Sequence, residues 1–99
     1  MMVDDTTTST VRGWTFLSNH AHVLVCLAQD PEQRIRDIAS RVGITERATS
    51  NIVRDLETDG YLTKRREGRS NRYTLDTHRP LRHPIEEHRS IGDLLGLIQ

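Results

Sequence analysis

The sequence is poor in the residues on which several kinds of chemistry depend. Its 99 residues include one cysteine, Cys26, which excludes an intrachain disulfide and any zinc site built from several thiolates. No apolar run approaches the roughly 18 residues of a membrane span. The opening MMVDDTTTSTV lacks the basic start and apolar core of a secretory signal, so a cytoplasmic protein away from membranes is expected. The length suits one domain with no separate catalytic domain beside it. Hydrophobic residues make up only 34% of the chain, so the core is small and part of its apolar surface is expected to meet a partner chain.

Catalytic motifs are missing as well. Glu86 and Glu87 are adjacent and so fall mostly on different helix faces, the Ser and His residues form no nucleophile motif, and there is no glycine-rich phosphate loop. An enzyme is not expected, nor a cofactor. Five histidines raise the question of a metal, but His20 and His22 are two apart on an expected helix, and His83 and His88 straddle Pro84. With His78 they read as surface or core histidines, and no metal site is assigned. Cys26, with no resolving cysteine in the chain, reads as a buried helix residue.

Net charge is absent too: 14 Lys and Arg balance 14 Asp and Glu. The balance is uneven along the chain. Residues 1–33 carry a net −3, residues 34–72 carry ten basic against six acidic side chains for +4, and the remainder carries −1. A basic middle in a neutral protein points to a polyanion held on one face, because phosphate contacts act through local charge. An ordinary mixed-charge surface is the alternative on charge alone.

The first 12 residues show no periodicity and read as a mobile tail. Ser18 is placed to cap a helix running to about Gln29, with Ala21, Leu24, Val25 and Ala28 recurring at helical spacing until Asp30-Pro31 ends it. Arg34-Ile35-Arg36 alternates in a way that suits a third edge on a later hairpin. Asp37 is expected to cap a short helix with Ile38, Ala39 and Val42 facing inward, and Gly43 stands where a left-handed C-terminal residue is needed. Thr45 then caps a helix to about Thr58. At about 100° per residue, Ala48, Thr49, Ile52, Val53 and Leu56 fall on one side and Arg47, Ser50, Asn51 and Arg54 on the other. Residues 61–75 predict a β-hairpin with a four-residue loop at Glu67-Gly68-Arg69-Ser70. Asp76 to Pro84, with two prolines, predicts an irregular connection. Ile85 to Gln99 predicts a last helix with the stripe Ile91, Leu94, Leu95 and Ile98.

The expected fold class is mainly α with a small β-hairpin wing: three helices, the last two a helix-turn-helix, then the hairpin and an added C-terminal helix. Residues 20–75, above all IRDIASRVGITERATSNIVRDLETDGYLTKRREGRSNRYTL, resemble the winged helix-turn-helix of small bacterial and archaeal transcriptional regulators of the MarR and ArsR kind. The spacing of Ile38-Ala39, Gly43, Leu56 and Gly60-Tyr61-Leu62, and the wing Arg66-Glu67-Gly68-Arg69, carry that resemblance. It implies regulation of transcription, usually as a repressor, and a two-fold dimer built from terminal helices. It also leaves room for an effector that the sequence does not identify. Relatives that sense metals use cysteine pairs or paired His and Asp on a terminal helix, patterns not matched here.

The residues make their own case for double-stranded DNA as partner. A major groove about 12 Å wide admits one helix whose outward side chains bond base edges or phosphates. On that reading Arg47, Ser50 and Asn51 read bases, while Arg54 and the Thr45 cap region touch phosphate. Arg69 at the hairpin tip would enter the minor groove, with Lys64, Arg65, Arg66 and Arg72 near phosphates. Simpler uses of the same residues are a solvated helix face and an edge hairpin protected by charge. Residues 13–78 form the DNA-binding unit in this reading, and Ile91, Leu94, Leu95 and Ile98 of residues 79–99 a dimer contact or packing within the monomer. The competing function is a winged-helix adaptor that binds protein.

Overall fold

The computed structural model describes residues 13–99; the tail expected over residues 1–12 lies outside the described residues. Helix α1 (Asn19–Gln29) starts where Ser18 accepts a hydrogen bond from the Ala21 N–H, and stops at Asp30. It packs against every other element of the core except the first strand. That central position turns its buried face away from the expected stripe: Val23, Leu24, Cys26 and Leu27 are buried, while Ala21, Val25 and Ala28 are half-buried.

Helix α2 (Ile35–Val42) corrects the reading of Arg34-Ile35-Arg36 as an edge strand. Ile35, Ile38, Ala39 and Val42 recur at helical spacing, and burying that face outweighs a three-residue alternation. The cap also moves. Arg34 occupies the N-cap position without a side-chain hydrogen bond, and Asp37 lies in the first turn, where its charge still favours the positive end of the helix. The hairpin instead meets the loop before α2 through a backbone bond from the Tyr73 N–H to the Pro31 carbonyl at 2.9 Å.

Gly43 ends α2 at φ 87°, ψ 34°, a left-handed conformation that disfavours any residue with a Cβ. Its N–H and that of Ile44 both reach the Ala39 carbonyl, at 2.8 and 3.1 Å. The chain turns directly into α3 (Glu46–Thr58), where Thr45 accepts from the Ala48 N–H. Thr49, fully buried, donates its hydroxyl to the Thr45 carbonyl at 2.9 Å, so its one buried polar group is satisfied.

Strands β1 (Leu62–Glu67) and β2 (Ser70–Leu75) pair antiparallel from Leu62↔Leu75 to Glu67↔Ser70. The loop is therefore Gly68-Arg69 alone, two residues shorter than expected. Gly68 sits at φ 63°, and tight two-residue hairpin turns require positive φ at that first position. Leu62 and Tyr73 root the hairpin in the core; its outer half is exposed.

The last helix begins six residues later than predicted. Residues 84–88 are turns, and α4 spans Ile91–Ile98 behind a capping box in which Ser90 and Asp93 exchange hydrogen bonds. Residues 79–91 close on themselves: Leu81 N–H reaches Arg89 carbonyl and Ile91 N–H reaches Arg79 carbonyl, both at 2.8 Å. That closure occupies the backbone a helix from Ile85 would have needed. Ile91 and Leu95 enter the core beside α1.

Candidate nucleic-acid interface

The outward face of α3 follows from its burial. Thr49, Ile52, Val53 and Leu56 are buried, so at about 100° per residue the opposite arc holds Arg47, Ser50, Asn51 and Arg54, all exposed. Ala48, expected inside, is half-buried at the edge. Among the described residues neither Arg47 nor Arg54 has a hydrogen-bond or salt-bridge partner. Both guanidinium groups present their donors to solvent. Thr45 stands at the helix start, its hydroxyl committed to the cap.

The wing is strongly basic, with Lys64, Arg65, Arg66, Arg69 and Arg72 against Glu67 alone. Its cations are not equivalent. Lys64 and Arg69 have no partner among the described residues, and Arg69 sits at the turn. Arg66 donates through Nε to the Gly68 carbonyl at 3.1 Å, which stiffens the tip. Arg65 and Arg72 are directly opposed across the strands, and each is held by a carboxylate: Arg65 by Glu67 at 2.7 Å, Arg72 by Glu32 of the α1–α2 loop. Like charges directly opposed destabilise a hairpin, and these two bridges relieve that.

The sequence suggests an edge strand for Arg34 and Arg36 and points to no site role for either. They lie instead at the cap and first turn of α2, exposed and without partners among the described residues. Their density in the sequence was the available signal. The Glu32–Arg72 pair, 40 residues apart, had none.

Several other reactive groups are occupied or buried. The Cys26 thiol is buried, as expected, and burial pushes its pKa up while the Arg41 guanidinium pulls the other way more weakly. The Tyr73 phenol is raised by burial and then by the Glu57 charge, against a smaller lowering by Asn71. His20 contacts Asp55 at 2.9 Å, bridging α1 and α3. His83 accepts at Nδ1 from the Ile85 N–H. Among the described residues no three His, Cys, Asp or Glu side chains converge in a way that could hold a metal ion, and no helix is long and apolar enough to cross a membrane.

The helix pair, the hairpin and their order match the model of the MarR family over residues 18–74, more than half of the chain. The chain belongs to the MarR family. The matched span begins at the Ser18 cap of α1 and ends one residue before the hairpin does, so it takes in both helices of the helix-turn-helix and nearly the whole wing. MarR-family proteins are winged helix-turn-helix regulators and not enzymes. Within this family fold, α3 occupies the position of the second helix of the helix-turn-helix, and α4 and its approach lie beyond the matched residues.

Proposed function

We propose that this MarR-family chain binds double-stranded DNA sequence-specifically and regulates transcription, as a repressor acting by occupancy of its operator. The observation that carries the reading is the outward arc of α3: Arg47 and Arg54, exposed and unpaired among the described residues, with Ser50 and Asn51 beside them, on a helix whose other side is in the core. Arg can bond guanine bidentately and Asn adenine, so this face has the donors and acceptors that base edges require. In this proposal α3 lies in the major groove. Arg47, Ser50 and Asn51 read bases, while Arg54 and the Thr45 turn touch phosphate. Arg69 reaches the adjacent minor groove, and Lys64, Arg65, Arg66 and Arg72 approach the backbone. A cytoplasmic location follows from a genomic target.

Residues 13–78 serve DNA and residues 79–99 serve a homodimer in the same proposal. Ile91 and Leu95 are buried within the monomer, so the outer part of α4 carries the contact: Leu94 half-buried, Leu97 84% exposed and Ile98 46% exposed. Trp14 and Phe16, edge to face with centroids 4.9 Å apart and both largely exposed, add apolar surface that a second copy would cover. Two copies related by a two-fold axis would present their α3 helices to half-sites about one DNA turn apart.

Fluorescence anisotropy tests this with a labelled duplex from the gene's own upstream region and a scrambled duplex, each at low and physiological salt. Selective binding that survives added salt is expected. Weak binding to both that vanishes with salt would overturn the reading and favour an adaptor function. Sedimentation at micromolar concentration should give the mass of a dimer; a monomer mass would overturn that part.

A further inference from the structure

Three features of the wing meet at Arg72. It opposes Arg65 across the hairpin. Its guanidinium is held by Glu32, with the two side chains 44% and 55% exposed. Its neighbour Tyr73 is buried and donates its N–H to the Pro31 carbonyl, next to Glu32, at 2.9 Å. The backbone bond and the buried ring already fix where β2 sits against the α1–α2 loop, so the ion pair is not needed to hold the wing in place. The pair is wet on both sides, and an exposed pair of this kind is weak enough to be exchanged for a stronger anion.

We infer that Glu32 is an internal competitor for the phosphate that Arg72 would otherwise contact, and so sets the affinity of the wing for a polyanion. This rests on the proposal that the wing meets DNA. In the free protein the Glu32 carboxylate occupies the guanidinium and offsets the repulsion between Arg72 and Arg65. On a duplex, a phosphate oxygen takes the place of the carboxylate, and Glu32 returns to water. Each binding event therefore includes the opening of one ion pair, and a chain without Glu32 omits that step. Glu32 touches no ligand itself; it acts through Arg72 and is an affinity-setting residue.

The experiment uses the full chain in four forms: wild type, Glu32→Gln, Arg72→Ala and the double variant. Glutamine keeps size and polarity, and circular dichroism should show all four folded, because neither side chain enters the core. Duplex affinity is measured by anisotropy across a salt series, and retention on immobilised heparin is measured beside it as a polyanion that needs no sequence recognition. E32Q should bind about two- to fivefold tighter than wild type, elute from heparin at higher salt, and have a log–log salt slope steeper by up to about one phosphate contact. In the Arg72→Ala background both effects should disappear. An equal gain in both backgrounds would reduce Glu32 to a long-range charge, and a loss of affinity in E32Q would make it a support for the wing; either overturns the inference. Failure of the wild type to bind any duplex would sink the functional proposal, while the heparin comparison would still decide whether Glu32 competes for Arg72.

Discussion

The hydroxyl of Tyr61 donates to the carbonyl oxygen of Pro80 at 2.8 Å. Tyr61 lies at the root of the hairpin and Pro80 in the closed segment before α4, so one bond ties the family-matched region to the residues that follow it. Two backbone bonds run alongside, from Asp76 N–H to Tyr61 carbonyl and from Tyr61 N–H to Leu56 carbonyl. Replacing Tyr61 by Phe keeps the buried ring and removes only the hydroxyl. A loss of about 1 kcal/mol is expected, read as a fall in melting temperature of roughly 4–8 °C for a domain of this size. An unchanged melting temperature would show that water replaces the bond without cost.

Gly43 makes the turn of the helix-turn-helix at a positive φ, and a Cβ there would meet no atom within 4 Å beyond its own chain neighbours. Any penalty for Gly43→Ala therefore comes from the Cβ against its own local backbone at positive φ and not from a clash with another part of the fold. About 1–2 kcal/mol of destabilisation is expected, measurable by urea unfolding. A neutral result would mean that the α2–α3 turn relaxes to another geometry.

The base-reading assignment on α3 separates into two kinds of residue. Arg47→Ala and Asn51→Ala should each cost about 1–3 kcal/mol in preference for the operator over a scrambled duplex. Arg54→Ala should weaken both duplexes alike and flatten the salt slope by about one phosphate contact. Anisotropy titrations of the three variants check this. Retention of sequence preference after loss of both Arg47 and Asn51 would place recognition elsewhere.

Arg69, at a turn pinned by the Arg66–Gly68 bond, is proposed to enter the minor groove. Arg69→Ala should reduce the preference for A·T-rich flanks, because the narrow minor groove there concentrates negative potential. Competition between A·T- and G·C-flanked duplexes measures it; a uniform loss on both would make Arg69 a phosphate contact.

The ionisation of Asp93 is coupled to the capping box that starts α4. The hydrogen bond from the Ser90 backbone N–H is the largest influence on Asp93 and, against desolvation and with lesser help from the Ser90 hydroxyl and Arg89, holds its carboxyl below the ordinary value. A carboxyl depressed in the folded state stabilises the fold above its unfolded pKa, about 3.9, and loses that contribution as pH falls through the lower folded value. Amide exchange over residues 91–98 should therefore quicken below about pH 4 relative to the chemical rate. Asp93→Asn should remove that pH dependence; persistence of it in the variant would assign it to another carboxylate.

The parts of the molecule that could be read in advance are those with their own local chemistry. Ser18 and Thr45 cap their helices through a hydroxyl, Gly43 ends α2 in a conformation that suits glycine, and the apolar positions of α3 recur at a helical period that leaves Arg47, Ser50, Asn51 and Arg54 on the opposite side. Each signal lies within a few residues of its consequence. The candidate face of α3 was therefore legible as a set, and so were the order of helices and hairpin.

Where local signals were weak or tied, packing decided. Arg34 caps α2 with no side-chain bond, so nothing nearby marked the start of that helix, and the burial of Ile38 and Ala39 chose helix over strand for Ile35. Ile85 to Gln99 held enough apolar residues for a longer helix, yet the bonds between residues 79–81 and 89–91 and the seating of Ile91 and Leu95 near α1 set its start at Ile91. The state of the wing cations was decided the same way. Sequence determined that Arg65 and Arg72 are present and basic, with Glu67 two residues from Arg65; only the folded chain, by bringing Glu32 from the α1–α2 loop to β2, determined that Arg72 is occupied as well. Local propensity acts over one or two turns of backbone, whereas an ion pair between positions 32 and 72 exists only after burial of a shared core has brought them together.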